Sequence, residues 1–253
     1  MTRKKWKKRL KRLLFVLGLL IITVCLVFAG VYLAVVYRPA DYDPQPLSIA
    51  QQQWVENEGW KKSEEFYNNV HKMEPFTICF EQRMLNNLLG HDEADKFFDK
   101  LSPRIAGILH QPQLKLAEGS IQMMARISYA GVNFVLTVGF RPAITDTGYL
   151  KLVMLPIRVG ALHLPEMLIK RHLAQAARAL EEREKKYSDI GNSESADDLM
   201  YNLVSVLRRL IEKRQVTVKP EFRAVEDKRA QLVGIRIDNG HIELDMQPLM
   251  MSK

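Results

Sequence analysis

Six histidines and two cysteines are the side chains best suited to metal or nucleophilic chemistry, and their spacing argues against both. No pair among His71, His91, His110, His163, His172 and His241 has the separation of an HExxH zinc site. His91-Asp92-Glu93-Ala94-Asp95 carries the donors of a metal cluster. Acids at a helix start are favoured by the helix dipole alone, whereas metal ligands need convergent geometry. Cys79 has no neighbouring base to activate it. GxSxG, the phosphate-binding loop, GxGxxG and CxxC are absent. Asp146, inside Thr145-Asp146-Thr147-Gly148, suits local backbone hydrogen bonding in a turn better than acid–base work. These residues predict a non-catalytic chain with no metal and no cofactor.

Apolar binding is the chemistry the spacing does favour. Ile121, Met123, Ala125, Ile127 and Tyr129 alternate with Gln122, Met124, Arg126 and Ser128. Val132, Phe134, Leu136, Val138 and Phe140 alternate as cleanly, so each series defines one face of a strand. Tyr149 to Val159 is apolar on both faces, which predicts a strand covered on both sides. Pro156 within it predicts a bulge or an edge. Eleven methionines, including Met123, Met124, Met154 and Met167, supply side chains that adapt to irregular apolar guests, although filling a core is their usual role. The candidate ligand-binding set is Ile121, Met123, Phe134, Leu136, Val138, Phe140, Leu152 and Met154.

The elements that would position this set are set by local signals. Ser48 with Gln51 three residues later predicts a capping box and a helix reaching about His71, weakened at Gly59 and ended by Pro75. Phe76 to Phe80 reads as a strand. Met84, Leu85, Leu88 and Leu89 have helical spacing, with Gly90 placed as a stop. A further helix is expected from Asp92 to about Leu101, interrupted by Pro103. Glu118-Gly119 and Ala130-Gly131 mark hairpin turns. Pro165 opens a long helix whose stripe is Ile169, Leu173, Ala176 and Leu180. After a loop at 191–195, Leu199, Leu203, Val206, Leu207, Leu210 and Ile211 form a second amphipathic helix. Asn239-Gly240 joins two closing strands as a hairpin. The fold class is therefore α+β: an N-terminal transmembrane helix, then one domain with a curved antiparallel sheet packed on long amphipathic helices.

Charge is concentrated at one end. The chain has 253 residues and a formal charge of +8, with eight Lys/Arg and no acid in residues 1–12. From residue 13 onward, 29 cations meet 29 anions. The body thus lacks the net basicity that nucleic-acid binding requires, and no nucleic-acid partner is expected. Leu13 to Tyr37 is an uncharged run of 25 residues. As a helix it is about 37 Å long, enough for a hydrocarbon core of about 30 Å. A secretory signal has an apolar region of only about 7–15 residues, so the run reads as an uncleaved anchor. The preceding cations keep the N-terminus cytoplasmic and export residues 38–253. The expected organisation is a cytoplasmic basic tip (1–12), a transmembrane helix (13–37), a linker and helical segment (38–75) and an extracytoplasmic α+β domain (76–253). Pro39, Pro44 and Pro46 make 38–46 a stiff, extended spacer.

Residues 76–89, Phe-Thr-Ile-Cys-Phe-Glu-Gln-Arg-Met-Leu-Asn-Asn-Leu-Leu, resemble the strand-then-"LN"-helix opening of the YpmS-like family of single-span bacterial proteins. Phe140-Arg-Pro-Ala-Ile-Thr-Asp-Thr-Gly-Tyr-Leu-Lys-Leu and Val159-Gly-Ala-Leu-His-Leu-Pro165 resemble that family's "P-x-v-t-x-x-G-x-L" and "x-G-x-L-x-L-P" segments. The likeness spans about residues 76–170 and consists of turns and helix starts. It implies a layout similar to tubular lipid-binding domains, in which a curved sheet wraps a long helix around an apolar groove. It further implies a bacterial inner-membrane location and a membrane lipid as partner. Two other readings stay open: a cell-envelope scaffold that binds a protein partner and has no ligand cavity, and a cell-envelope hydrolase.

Overall fold

A computed structural model describes residues 3–91, 109–129, 131–189, 195–223 and 228–249. The expected helix from Asp92, the Pro103 interruption and loop residues 191–194 lie outside them.

The apolar run forms helix α1 (Arg3–Val36), which continues back through the basic tip. Its stretch Leu17–Val36 has a mean hydropathy of 2.9 and no fully buried residue, and at its end Ala34, Val35 and Val36 are half-buried against the rest of the protein. The Thr23 hydroxyl donates to Leu19 O at 2.9 Å, so the one non-aromatic hydroxyl of the run is satisfied inside the helix. Helix α2 (Ile49–Lys72) begins with the expected capping box. Gln51 N–H donates to Ser48 Oγ, and Ser48 N–H donates to Gln51 Oε1. Gly59 does not break it; Met73 ends it in the left-handed region, two residues before Pro75.

Strand β1 (Phe76–Glu81) runs into α3 (Gln82–Leu89). The chain then forms β2 (Leu109–Ala117), β3 (Ser120–Tyr129) and β4 (Val132–Ile144). The single strand expected over 149–159 is instead two, β5 (Leu150–Met154) and β6 (Arg158–Val159). Pro156 has no N–H for a ladder, and the chain bends where Leu155 N–H turns to Gly139 O at 2.8 Å. β7 (Leu162–His163) folds back on β6. Helices α4 (Glu166–Asp189) and α5 (Ser195–Lys213) pair with each other, and α5 touches β5 and β8 (Gln215–Val218). Ala177 and Leu180 of α4 and Val204 and Leu210 of α5 are buried. An Arg208–Glu184 ion pair at 2.7 Å joins the helices, and its hydrogen bond holds the guanidinium pKa above its usual value. β9 (Glu221–Arg223), β10 (Arg229–Asp238) and β11 (His241–Leu249) complete the chain.

The result is an α+β fold with an N-terminal apolar helix and a curved antiparallel half-barrel sheet. The half-barrel has the strand order β2-β3-β4-β5-β8, with the β6–β7 hairpin attached to β4. A second sheet has the order β1-β11-β10-β9. The two meet where Leu116 packs on Ile237 and Ile242, with Ile121, Phe80 and Leu85 around them. A second cluster joins Val70 of α2 to Ala230, Leu232 and Met246, with Ile144 and Leu150 of the half-barrel against it. The outer edge of β2 is not left bare. Leu114 N–H donates to Asn86 Oδ1 at 2.6 Å and Leu116 N–H to Gln82 Oε1 at 2.7 Å, so one turn of α3 caps two ladder positions.

Candidate functional site

Strand register puts all eight candidate residues on one face of the half-barrel. Ile121 pairs with Phe140 and Met123 with Val138; Leu136 and Phe134 face Ala125 and Ile127. Phe140 pairs on its other side with Met154, and Pro142 with Leu152. Every one of the eight is half-buried. The opposite face of the same strands is closed more completely: Met124 is 2%, Thr137 3% and Val135 4% exposed. The eight candidates therefore keep accessible surface that these three residues lack. The two ends of their face differ. Ile121 is drawn into the cluster shared with the second sheet. At Met154, the Arg214 guanidinium donates to the sulfur at 2.8 Å and lies 3.5 Å from Glu166, linking α4 and β5 to the junction between α5 and β8.

The closed face is sealed by the segment expected to be a spacer. Residues 38–46 are not a straight extended spacer: the chain turns at Ala40-Asp41, where Tyr42 N–H donates to Pro39 O at 3.0 Å, and the segment is fastened to the sheet. Tyr42 is 3% exposed and packs on Met124 and Val135. Its hydroxyl donates to Gln111 O at 2.9 Å, and Arg38 lies over its ring. Asp41 pairs with Lys115, and Asp43 N–H donates to Gln113 Oε1. Proline spacing predicted an extended spacer, but the chain turns between Pro39 and Tyr42 and the aromatic side chain between the prolines fills an apolar seat on Met124 and Val135.

Burial pushes the Tyr42 phenol pKa above its ordinary value, because ionisation would place an anion in that seat. A folded pKa raised above the unfolded one gives stability that is complete below about pH 10 and is lost as pH rises through the folded value. Tyr42→Phe is expected to lower stability at neutral pH by about 1 kcal/mol, the loss of one hydrogen bond. It should also flatten the alkaline decline. Urea unfolding of both proteins at neutral and alkaline pH measures the two effects.

The end of α1 is seated on the same sheet. Ala161 N–H donates to Ala34 O at 2.9 Å, capping one of the carbonyls that a helix C-terminus leaves open. Gly160 lies against Ala34 and Val35 with φ +56°, and its N–H donates to Val135 O of β4 at 2.8 Å. The last turn of the apolar helix thus belongs to the folded domain.

Two cavities of about 300 and 340 Å³ flank the α2–α3 contact; the first is lined by Val55, Gly59, Trp60 and Leu88 and the second by Ala50, Trp54, Arg83 and Asn87, among others. Neither includes any of the eight candidates. Sequence spacing gave no sign of these clefts, because they lie where α2 and α3 meet, a tertiary contact that local periodicity does not specify. Among the described residues no three metal-binding side chains converge. His71 Nδ1 meets Tyr67 O, His91 approaches Glu56 in the lining of the first cavity, and His241 approaches Asp238. Asp92, Glu93 and Asp95 fall outside the described residues.

The chain matches no family model, no curated protein and no solved structure.

Proposed function

We propose that this is a single-pass membrane protein with a cytoplasmic N-terminus, whose extracytoplasmic domain holds a lipid or similar apolar ligand without catalysing a reaction. The domain is read as a curved sheet working with its long amphipathic helices, as the YpmS-like resemblance of residues 76–170 implies, in a bacterial inner membrane. The observation that carries the proposal is the half-barrel's apolar face. Eight hydrophobic side chains share it in register, and all keep accessible surface. An acyl chain against such a face gains about 0.8 kcal/mol per buried CH₂, so ten carbons suffice without a charged contact. The seat of α1 on Gly160 and Ala161 supports a retained anchor, since removing the helix would strip the domain of a packed partner.

The experiment uses the full chain in phosphatidylethanolamine–phosphatidylglycerol vesicles that contain a lipid with a photoactivatable acyl chain. Adducts on α1 act as the internal control. Further adducts between Ile121 and Met154 are expected, and Phe134→Trp should remove most of them. Stability should fall little if Phe134 walls a groove, but by about 1–3 kcal/mol if it sits in a filled core. Adducts confined to α1 would sink lipid binding by the sheet.

That outcome would promote the second reading, an envelope scaffold that binds a protein partner. One observation favours it: Ile121 already packs into the cluster that joins the sheets, so this end of the face is filled by protein.

A further inference from the structure

Outside α1, the most exposed large apolar side chain among the described residues is Met167, at 86%, and Leu168 beside it is 65% exposed. Adjacent apolar side chains left this open are unusual in a helix that buries Ala177 and Leu180. Beyond Ile169 come three exposed residues, Lys170, Arg171 and His172. The only acid in this first turn, Glu166, is drawn toward Arg214. The start of α4 is therefore an apolar tip backed by positive charge.

Its position in the chain ties it to the end of α1. Ala161, six residues before Met167, is hydrogen-bonded to Ala34, two residues from the last residue of α1. Six residues span at most about 20 Å when fully extended. This path is shorter, because β6 and β7 fold back on each other and Leu164 N–H returns to Ile157 O. The tip therefore lies less than about 20 Å from the point where α1 ends.

We infer that the first turn of α4 is a membrane-interface contact, with Met167 and Leu168 entering the bilayer that α1 crosses and Lys170 and Arg171 meeting lipid phosphates. The inference rests on the reading of α1 as a retained span. Its chemistry is that of an interfacial helix: apolar side chains below the headgroups and long cationic side chains extending to them. Each Lys or Arg near an anionic surface adds to the attraction. Seating the domain on the end of α1 and touching the bilayer a second time would fix its tilt, where a single tether would leave it free to turn.

The test uses the full chain with Cys25→Ser and Cys79→Ser, reconstituted in phosphatidylethanolamine–phosphatidylglycerol vesicles. Single cysteines replace Phe28, Met167, Leu168 or Val233 and carry a nitroxide label. Collision with oxygen, which concentrates in the bilayer, is compared with collision with a water-soluble nickel chelate. The Phe28 label should favour oxygen strongly and the Val233 label nickel. Met167 and Leu168 labels are expected between them, with oxygen preferred several-fold more than at Val233. Adding Lys170→Glu and Arg171→Glu should shift the Met167 label toward nickel. Met167 and Leu168 labels as open to nickel as Val233, with Phe28 still shielded, would overturn the interface contact and leave the span intact. A Phe28 label open to nickel would overturn both.

Discussion

Replacing Gly160 by valine is expected to detach the last turn of α1 from the folded domain. Gly160 has φ +56°, a region that costs an L-residue about 1–2 kcal/mol. Space is the greater obstacle. A Cβ there would come within 2.5 Å of Val35 O and closer still to Ala34 O, both backbone atoms that cannot rotate away. Something must move, and the contact that yields most readily is the one between the helix end and the hairpin, because Gly160 is also tied to β4. The Ala161–Ala34 hydrogen bond would go with it. A short bismaleimide should link Ala34→Cys to Ala161→Cys efficiently in a background lacking Cys25 and Cys79. With Gly160→Val added, linking should fall by an order of magnitude or more. Undiminished linking would show that the hairpin adjusts in place.

Leu116→Ala should produce the largest loss of stability, about 2–5 kcal/mol, the range for a buried leucine cut to alanine. Leu116 is 2% exposed and stands between the sheets, against Ile237 and Ile242. Its carbonyl also accepts from Gly240 N–H of the β10–β11 turn, and its own N–H is held by Gln82. The backbone is pinned from both sides, so little collapse is available to close the cavity. Leu116→Met conserves volume and should cost less than about 1.5 kcal/mol. Urea unfolding of the three proteins measures this, with a lower midpoint at unchanged slope as the expected signature. A cost below about 1 kcal/mol for alanine, under the usual range for such a truncation, would mean that the sheets do not depend on this contact.

Both predictions concern contacts that the linear sequence does not announce, and the contrast with what it does announce is physical. The apolar run, the Ser48–Gln51 box, the Gly119, Gly131 and Asn239-Gly240 turns and the alternation in β3 and β4 all came through into structure, because each is decided within one turn or one strand. The shared face of Ile121, Met123, Phe134, Leu136, Val138 and Phe140 was legible for the same reason: period-two alternation and a tight turn fix register locally. Asn86 shows where local reading stops. Its place in the "LN" segment was visible, but its work, capping the β2 edge from α3, needs a strand that begins over twenty residues later. The same holds for β2 itself, whose Gln113 and Lys115 are polar enough to pass for loop.

The sequence alone determined where an apolar helix, a capped helix and the hairpins would form, since those depend on local periodicity, capping and turn chemistry. Tertiary structure decided which strands are neighbours. β1 pairs with β11, β5 with β8, and Tyr42 and the end of α1 close one face of the half-barrel. Nothing near Phe76 specifies His241–Leu249 as its partner. That choice is made by burial across the whole domain, through side chains that meet only once both sheets exist.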